Sequence, residues 1–165
     1  MRGCTVFIAA IALTLGTALS AAAEEHGLAG FLGRIAAERP LVKWDAKSAV
    51  EGNFDGNHGV TFAALGYKDK QVMVAIGRKA TDGSVIAQYL EFGIGAGTQN
   101  AICKLPAHLK VYPLNCTAYE DGGGEKLPGC KETAGASGLK LDDDECDPIE
   151  MYWNHSTNQM MWWRN

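Results

Sequence analysis

The spacing of apolar residues is helical near the start of the chain. Over residues 24–39 the apolar side chains recur at i, i+3, i+4 and i+7, so they share one face of a helix. They are Leu28, Phe31, Leu32 and Ile35. Pro40 follows, and this spacing therefore predicts a short helix that ends before it.

Beyond Val42 the pattern is typical of β-strands. Three segments rich in Val, Ile, Phe and Tyr follow one another through short turn-like connectors, at residues 60–67, 71–78 and 85–92. They predict an antiparallel meander with residues 71–78 in the middle, because both faces of that segment are apolar. Further strands are predicted at residues 108–114, 138–141, 149–154 and 159–164. The last two form a hairpin, and residues 117–137 form a long surface loop. The sequence therefore predicts a mainly β fold, a small antiparallel sheet domain with one N-terminal helix.

The first residues of the chain are typical of a secretory signal peptide. Arg2 precedes an uncharged apolar run that is short for a membrane span, and Ala21-Ala22-Ala23 has the small-residue form of a cleavage site. We therefore expect residues 1–23 to be a leader and residues 24–165 to be a single exported domain. The alternative is an uncleaved membrane anchor. No later segment approaches the length of a membrane span.

Charge excludes some partners. The chain has a formal net charge of −4, and the loss of Arg2 with the leader moves it to about −5. A nucleic-acid binder would instead carry a basic stripe. The sequence predicts a protein of the periplasm or the extracellular space whose partner is a protein or a carbohydrate.

The cysteines agree with an oxidising compartment. Removal of Cys4 with the leader leaves an even set, which predicts two disulfides. These are Cys103, Cys116, Cys130 and Cys146. Three pairings are open, and the shortest loops favour Cys103–Cys116 with Cys130–Cys146. A zinc site is the competing interpretation, but zinc ligands usually occur in closely spaced pairs, which are absent from this sequence.

One loop carries a candidate metal site. Asn53, Asp55 and Asn57 alternate along a glycine-containing turn that leads into a predicted strand. Oxygen ligands at such spacing are typical of calcium loops. The alternative is a loop in which Asn and Asp side chains bond their own backbone as Asx turns.

Residues 50–57 and the strand behind them resemble the calcium-loop segment of FG-GAP and VCBS-type repeats, whose pattern is roughly D-F-D-G-D-G-x-x-D. The resemblance covers about 30 residues and is degenerate, because asparagines stand at two of the acidic positions and Thr61 at the last. Such repeats are blades of β-propellers, and a propeller needs at least four blades. The resemblance therefore implies a single embedded repeat and a binding role, with calcium as the only cofactor it implies.

An acidic run lies close to the last cysteine. It comprises Asp142, Asp143, Asp144, Glu145 and Asp147. Carboxylates at this density are suited to a divalent cation or a basic partner. The alternative is a solvated loop.

The C-terminal hairpin is aromatic. It predicts a binding patch made of Tyr152, Trp153, Asn154, His155, Trp162 and Trp163, with Asn158 on the turn. Adjacent Trp162 and Trp163 must point to opposite faces of a strand, so one ring is exposed if only one face is core. The alternative is a sheet that is covered on both faces.

Catalysis has little support in the sequence. No G-x-S-x-G elbow occurs, and the histidines lack metal-binding spacing. We therefore expect a non-enzymatic binding protein. The alternative is an inhibitor or immunity protein that blocks a secreted cell-wall hydrolase, since many such enzymes are basic.

Overall fold

A computed structural model describes residues 27–57, 59–79, 84–95, 97–118 and 124–164. The predicted leader, its cleavage site and residues 24–26 of the predicted helix lie outside these residues. The elements are α1 (Leu28–Glu38), β1 (Lys43–Gly52), β2 (Thr61–Lys68), β3 (Gln71–Lys79), β4 (Val85–Ile94), β5 (Ala101–Ile102), β6 (His108–Pro113), β7 (Ser137–Asp142), β8 (Ile149–Asn154) and β9 (Gln159–Trp163). The fold is mainly β with one short helix, as the sequence predicts.

The strands form two sheets. The first, sheet A, has the order β1-β2-β3-β4-β5, and the second, sheet B, has the order β6-β7-β8-β9. Every pairing is antiparallel except that of β4 with β5. The meander β2-β3-β4 and the β8-β9 hairpin are confirmed, with β3 in the middle of its sheet. The second sheet and the two-residue strand β5 were not predicted.

The main core lies between the two sheets. Residues of one face of β3, such as Val72, Val74 and Ile76, pack in one cluster with Leu139, Met151 and Trp153 of sheet B. On the other face of sheet A, Phe31 and Ile35 of α1 pack against Phe62, Ala64 and Ala75. The alternation of β3 therefore buries both of its faces, one under sheet B and one under α1.

The helix α1 begins without a side-chain cap and ends at Glu38, one residue before Arg39. Its stability comes from the buried face that carries Phe31 and Ile35, rather than from its termini. None of the helices in the described residues has the length and apolarity to cross a bilayer.

The disulfides are Cys103–Cys146 and Cys116–Cys130, so the favoured pairing is wrong. Strand β6 separates Cys103 from Cys116, and β7 separates Cys130 from Cys146. Six extended residues span roughly 20 Å, which is too far for a disulfide. Because β6 and β7 are antiparallel, with His108 opposite Asp142 and Pro113 opposite Ser137, the cysteines meet at the two ends of this pair.

Candidate functional site

The loop that resembles a calcium loop is closed by its own backbone bonds. Asp55 is 4% exposed, and its carboxylate accepts a hydrogen bond from the backbone N–H of Asn57 at 3.1 Å. The hydroxyl of Thr61 donates to the carbonyl of Gly52 at 2.5 Å and accepts from the N–H of Phe54 at 3.2 Å. These contacts are those of an Asx-turned loop.

The same loop fits calcium poorly. Calcium takes six to eight oxygens with net negative charge. Here Asp55 is the only carboxylate among the three predicted ligands, and Asn57 is exposed. The side chain of Asn53 donates to the carbonyl of Gly135 at 3.3 Å, and its buried oxygen, Oδ1, has no partner among the described residues. One neutral oxygen beside one carboxylate does not make a calcium site.

Within the acidic run, Asp143 has a structural position. It is 2% exposed, and its two oxygens accept four backbone N–H groups. Those donors are Cys103, Lys104 at 3.2 Å, Glu145 at 3.0 Å and Cys146 at 2.8 Å. The carboxylate therefore joins both chain segments that carry the Cys103–Cys146 disulfide. Asp143 and the two cysteines form the one compact group of potential metal ligands found in the described residues, but the sulfurs are bonded to each other.

The other carboxylates of the run are largely paired with lysines. Lys110 lies 2.7 Å from Asp142 and 3.5 Å from Asp144, and Lys104 lies 2.8 Å from Glu145. Asp147 is exposed. Much of the negative charge that a cation or a basic partner would need is therefore neutralised within the protein.

The predicted aromatic patch is divided between two buried faces. Trp153 is 2% exposed and lies in the main core, whereas Tyr152 is 4% exposed and lies on the opposite face of sheet B. There the segment around Cys116, Leu127 and Cys130 covers it. Neither ring is available to a ligand, so these two residues of the predicted binding patch are buried, as in the alternative of a sheet that is covered on both faces.

Asn154 is also structural. It is 6% exposed, and its Oδ1 accepts from the backbone N–H groups of Ser156 at 2.9 Å and Thr157 at 3.1 Å, which closes the turn. The next residue, His155, is half-buried and donates its backbone N–H to Gly129 at 2.8 Å. Burial, and after it the positive charge of Lys131, lowers the pKa of His155, while Asp55 acts in the opposite direction. The hairpin turn is therefore attached to the loop that the Cys116–Cys130 disulfide closes.

Trp162 and Trp163 point to opposite faces, as alternation requires, and both are half-buried. The Trp162 ring packs edge-on against Phe92, with 5.8 Å between centroids, at the border of the main core. Trp163 packs against the cluster around Tyr152. Sheet B is thus covered on both faces here, by sheet A and by the disulfide-closed loop.

A groove of about 540 Å³ runs along the side of the molecule where β4 faces β9. Trp162 and Asn158, both expected in a binding surface, line it together with Gln159 and Met161 of the hairpin. Met161 is 39% exposed. Apolar side chains beside a few polar groups, in a concave site, are typical of a ligand site.

Among the residues that the structure describes, Arg78 is the only charged one that lines this groove. It forms no ion pair with a carboxylate among the described residues. An unpaired guanidinium offers a fork of N–H donors to a carboxylate. The groove therefore combines an apolar wall with one available positive charge.

Gln88 closes the floor of the groove by joining the two sheets. Its side-chain amide donates to the carbonyl of Met160 at 2.9 Å and accepts from the N–H of Met160 at 2.8 Å. This pair of bonds occupies the outward-facing backbone groups of β9 at that residue. Neither Gln88 nor Arg78 was predicted as part of a site. No local signal in the sequence marks either residue, because the lack of an ion pair at Arg78 is visible only in the structure.

Comparisons of the chain with protein-family models, with curated proteins and with solved structures found no match. The resemblance of residues 50–57 to FG-GAP and VCBS-type repeats therefore stays a prediction.

Proposed function

We propose that this protein is a small exported domain that acts by binding a protein or a glycan, without catalysis. The groove between β4 and β9 is its ligand site. Two disulfides and an apolar core support export to an oxidising compartment, where such bonds form and persist.

One observation carries the proposal: Trp162, Met161 and Arg78, which has no ion pair among the described residues, converge on a concave surface of about 540 Å³ beside the C-terminal hairpin. Trp and Arg are the residues that most often dominate binding energy in protein complexes. Indole rings also serve as apolar surfaces with a polar edge. The same residues suit a peptide or a sugar, so both classes enter the test.

The test uses residues 24–165 with both disulfides formed, applied to a peptide array and a glycan array. We expect at least one ligand whose affinity falls roughly fivefold or more in Arg78→Glu and in Met161→Asp. Two matched controls lie at the opposite edges of the same sheets. Lys47→Glu on β1 makes the same change of charge, and Val111→Asp on β6 replaces a side chain of nearly equal exposure, 38%.

Equal losses in the groove variants and in the controls would show that another surface binds. A lack of any ligand on both arrays would also overturn the proposal. Circular dichroism of each variant separates loss of binding from loss of folding.

A further inference from the structure

We infer that the outer edge of β4 binds an extended acidic peptide as an added β-strand. This inference rests on the proposed function and names its ligand class. It begins with the direction of the backbone groups. Gly93 donates its N–H to Asn100 on the side of β5, and Ile94 donates to Lys70 on the side of β3. Hydrogen bonding alternates along an antiparallel strand.

The alternation continues through β4 without interruption. The register with β3 runs over nine consecutive pairs, from Gln71 opposite Gly93 to Lys79 opposite Val85. Val85, Ala87, Tyr89 and Glu91 therefore direct their N–H and C=O groups away from β3. Strand β5 pairs only with Gly93 and Ile94, so from Val85 to Glu91 no strand of the described residues lies beside β4 on that side.

The other sheet edges carry features that discourage strand addition. Strand β1 is bulged between Asp45 and Val50 and carries Lys43, Asp45 and Lys47. Strand β6 ends in Pro113. Charges, bulges and proline are known means of blocking an edge.

The edge of β9 is partly occupied, because the side chain of Gln88 already bonds the outward N–H and C=O groups of Met160. Strand β4 contains no lysine and no proline, its register with β3 is uninterrupted, and its one charge, Glu91, lies at the end of the unpaired edge that is nearer to β5. A long, regular and mostly apolar edge is the kind of edge to which an extended peptide adds as a strand.

Charge selects the occupant. Arg78 pairs with Ile86 of β4, so it lies one strand in from the free edge, and it is the only charged residue of the groove within the described part of the chain. An added strand with a carboxylate near this position would complete the ion pair. A second copy of this chain is less suitable, because the side chains that its β4 would bring to this face are Ile86, Gln88 and Leu90, none of which is acidic.

The probes are two capped synthetic peptides of alternating threonine and valine, one with a central glutamate and one with lysine in its place. They are added to residues 24–165 with both disulfides intact, and amide hydrogen exchange is followed by NMR. The glutamate peptide should slow exchange at Ala87 and Tyr89. It should leave Gln88 and Leu90 unchanged, because β3 already occupies those N–H groups.

The charge requirement is tested by exchange of partners. The glutamate peptide should bind roughly fivefold more tightly than the lysine peptide, and Arg78→Glu should reverse this order. Arg78→Gln should remove the difference without introducing a new charge. Lys47→Glu, at the far edge of sheet A, should leave the order unchanged.

Three results would overturn the inference. The first is binding without the alternating protection, which would indicate side-chain recognition of another ligand class. The second is concentration-dependent protection of Ala87 and Tyr89 without any peptide, which would assign the edge to a second copy of this chain. The third is binding of neither peptide. If array ligands still depend on Arg78 and Met161 in that case, the proposed function stands and only the added strand fails.

Discussion

Asp143 shows how one buried charge can hold two chain segments together. An ionised carboxylate out of water is costly unless its lone pairs are occupied, and here four N–H groups occupy them. Its neighbour Asp144 has the same side chain but is 65% exposed, and its carboxylate lies 3.5 Å from Lys110 and 3.7 Å from His108 on the surface. The acidic run in the sequence does not show this difference, because the burial of Asp143 depends on the distant segment around Cys103.

Replacement of the buried carboxylate should therefore be costly. Asp143→Asn keeps the shape but turns one acceptor into a donor that faces backbone N–H groups. We expect the free energy of unfolding to fall by about 3 kcal/mol, as measured by urea denaturation. Asp144→Asn is the matched control and should change it by less than about 0.5 kcal/mol. Equal effects would contradict the assignment.

The buried carboxylate of Asp143 should also make the stability of the protein fall at acidic pH. Burial alone would raise the pKa of Asp143, but the hydrogen bonds from Cys146, Glu145, Cys103 and Lys104 outweigh it and hold the pKa below its ordinary value. Its stabilisation is therefore complete above the unfolded-state pKa of about 3.9 and is lost as the pH falls through the lower folded-state value. Denaturation across this range should show a shallower loss for Asp143→Asn than for the natural protein. Parallel curves would refute it.

At the scale of elements, local pattern predicts what is local. Strand β8 begins and ends where its alternation of side chains predicts, at Ile149 and Asn154. The helical face of α1 is the buried one, although Gly30 and Gly33 weaken its intrinsic propensity. Strand β5 could not be predicted, because two residues are too few to show a periodic pattern. Its parallel pairing with β4 depends on the tertiary structure and not on a local turn.

The disulfide pairing belongs to the same scale. Loop length alone favours neighbours in sequence, whereas the strand that lies between two cysteines decides whether they can meet. Cys116–Cys130 fixes the loop that covers Tyr152 and Trp163. This loop covers the outer face of sheet B, although in the sequence it is only a polar, glycine-rich stretch.

Removal of this disulfide should loosen the cover. For Cys116→Ala with Cys130→Ala we expect a loss of about 3 kcal/mol in the free energy of unfolding, together with a weaker near-UV signal from Tyr152 and Trp163. Non-reducing peptide mapping of the natural protein should find Cys103 joined to Cys146 as the control on pairing. Unchanged stability in the double variant would show that the loop holds its place without the bond.

At the scale of the whole molecule, the candidate site exists only because two sheets stack. Trp162 and Asn158 could be singled out in the sequence, since aromatic and amide side chains near a turn are common in binding surfaces. Arg78 and Gln88 could not be singled out in this way. Gln88 lies 72 residues from Met160, and nothing in the sequence around either of these two residues indicates that they meet. The groove lies between the edges of the two stacked sheets, and the hydrogen bonds of Gln88 to Met160 join the sheets there.

Substitutions of Gln88 test whether its hydrogen bonds to Met160 hold the two sheets together. Gln88→Ala removes both bonds to Met160 and should cost about 1–2 kcal/mol in urea denaturation. Gln88→Glu keeps the acceptor for the N–H of Met160 but places a carboxylate against its carbonyl, which raises the pKa of the new side chain. An acid whose folded-state pKa is raised costs stability above that pKa, and the cost disappears once the pH falls below the unfolded-state value.

The glutamate variant should therefore gain stability relative to the natural protein as the pH falls from about 7 to about 5, whereas the alanine variant should not. This contrast distinguishes a paired amide from a side chain that merely fills space. If both variants followed one pH profile, Gln88 would not hold the two sheets together at the groove, and the gap beside β4 would be free to widen. A groove of that kind would lack the fixed edge that strand addition requires.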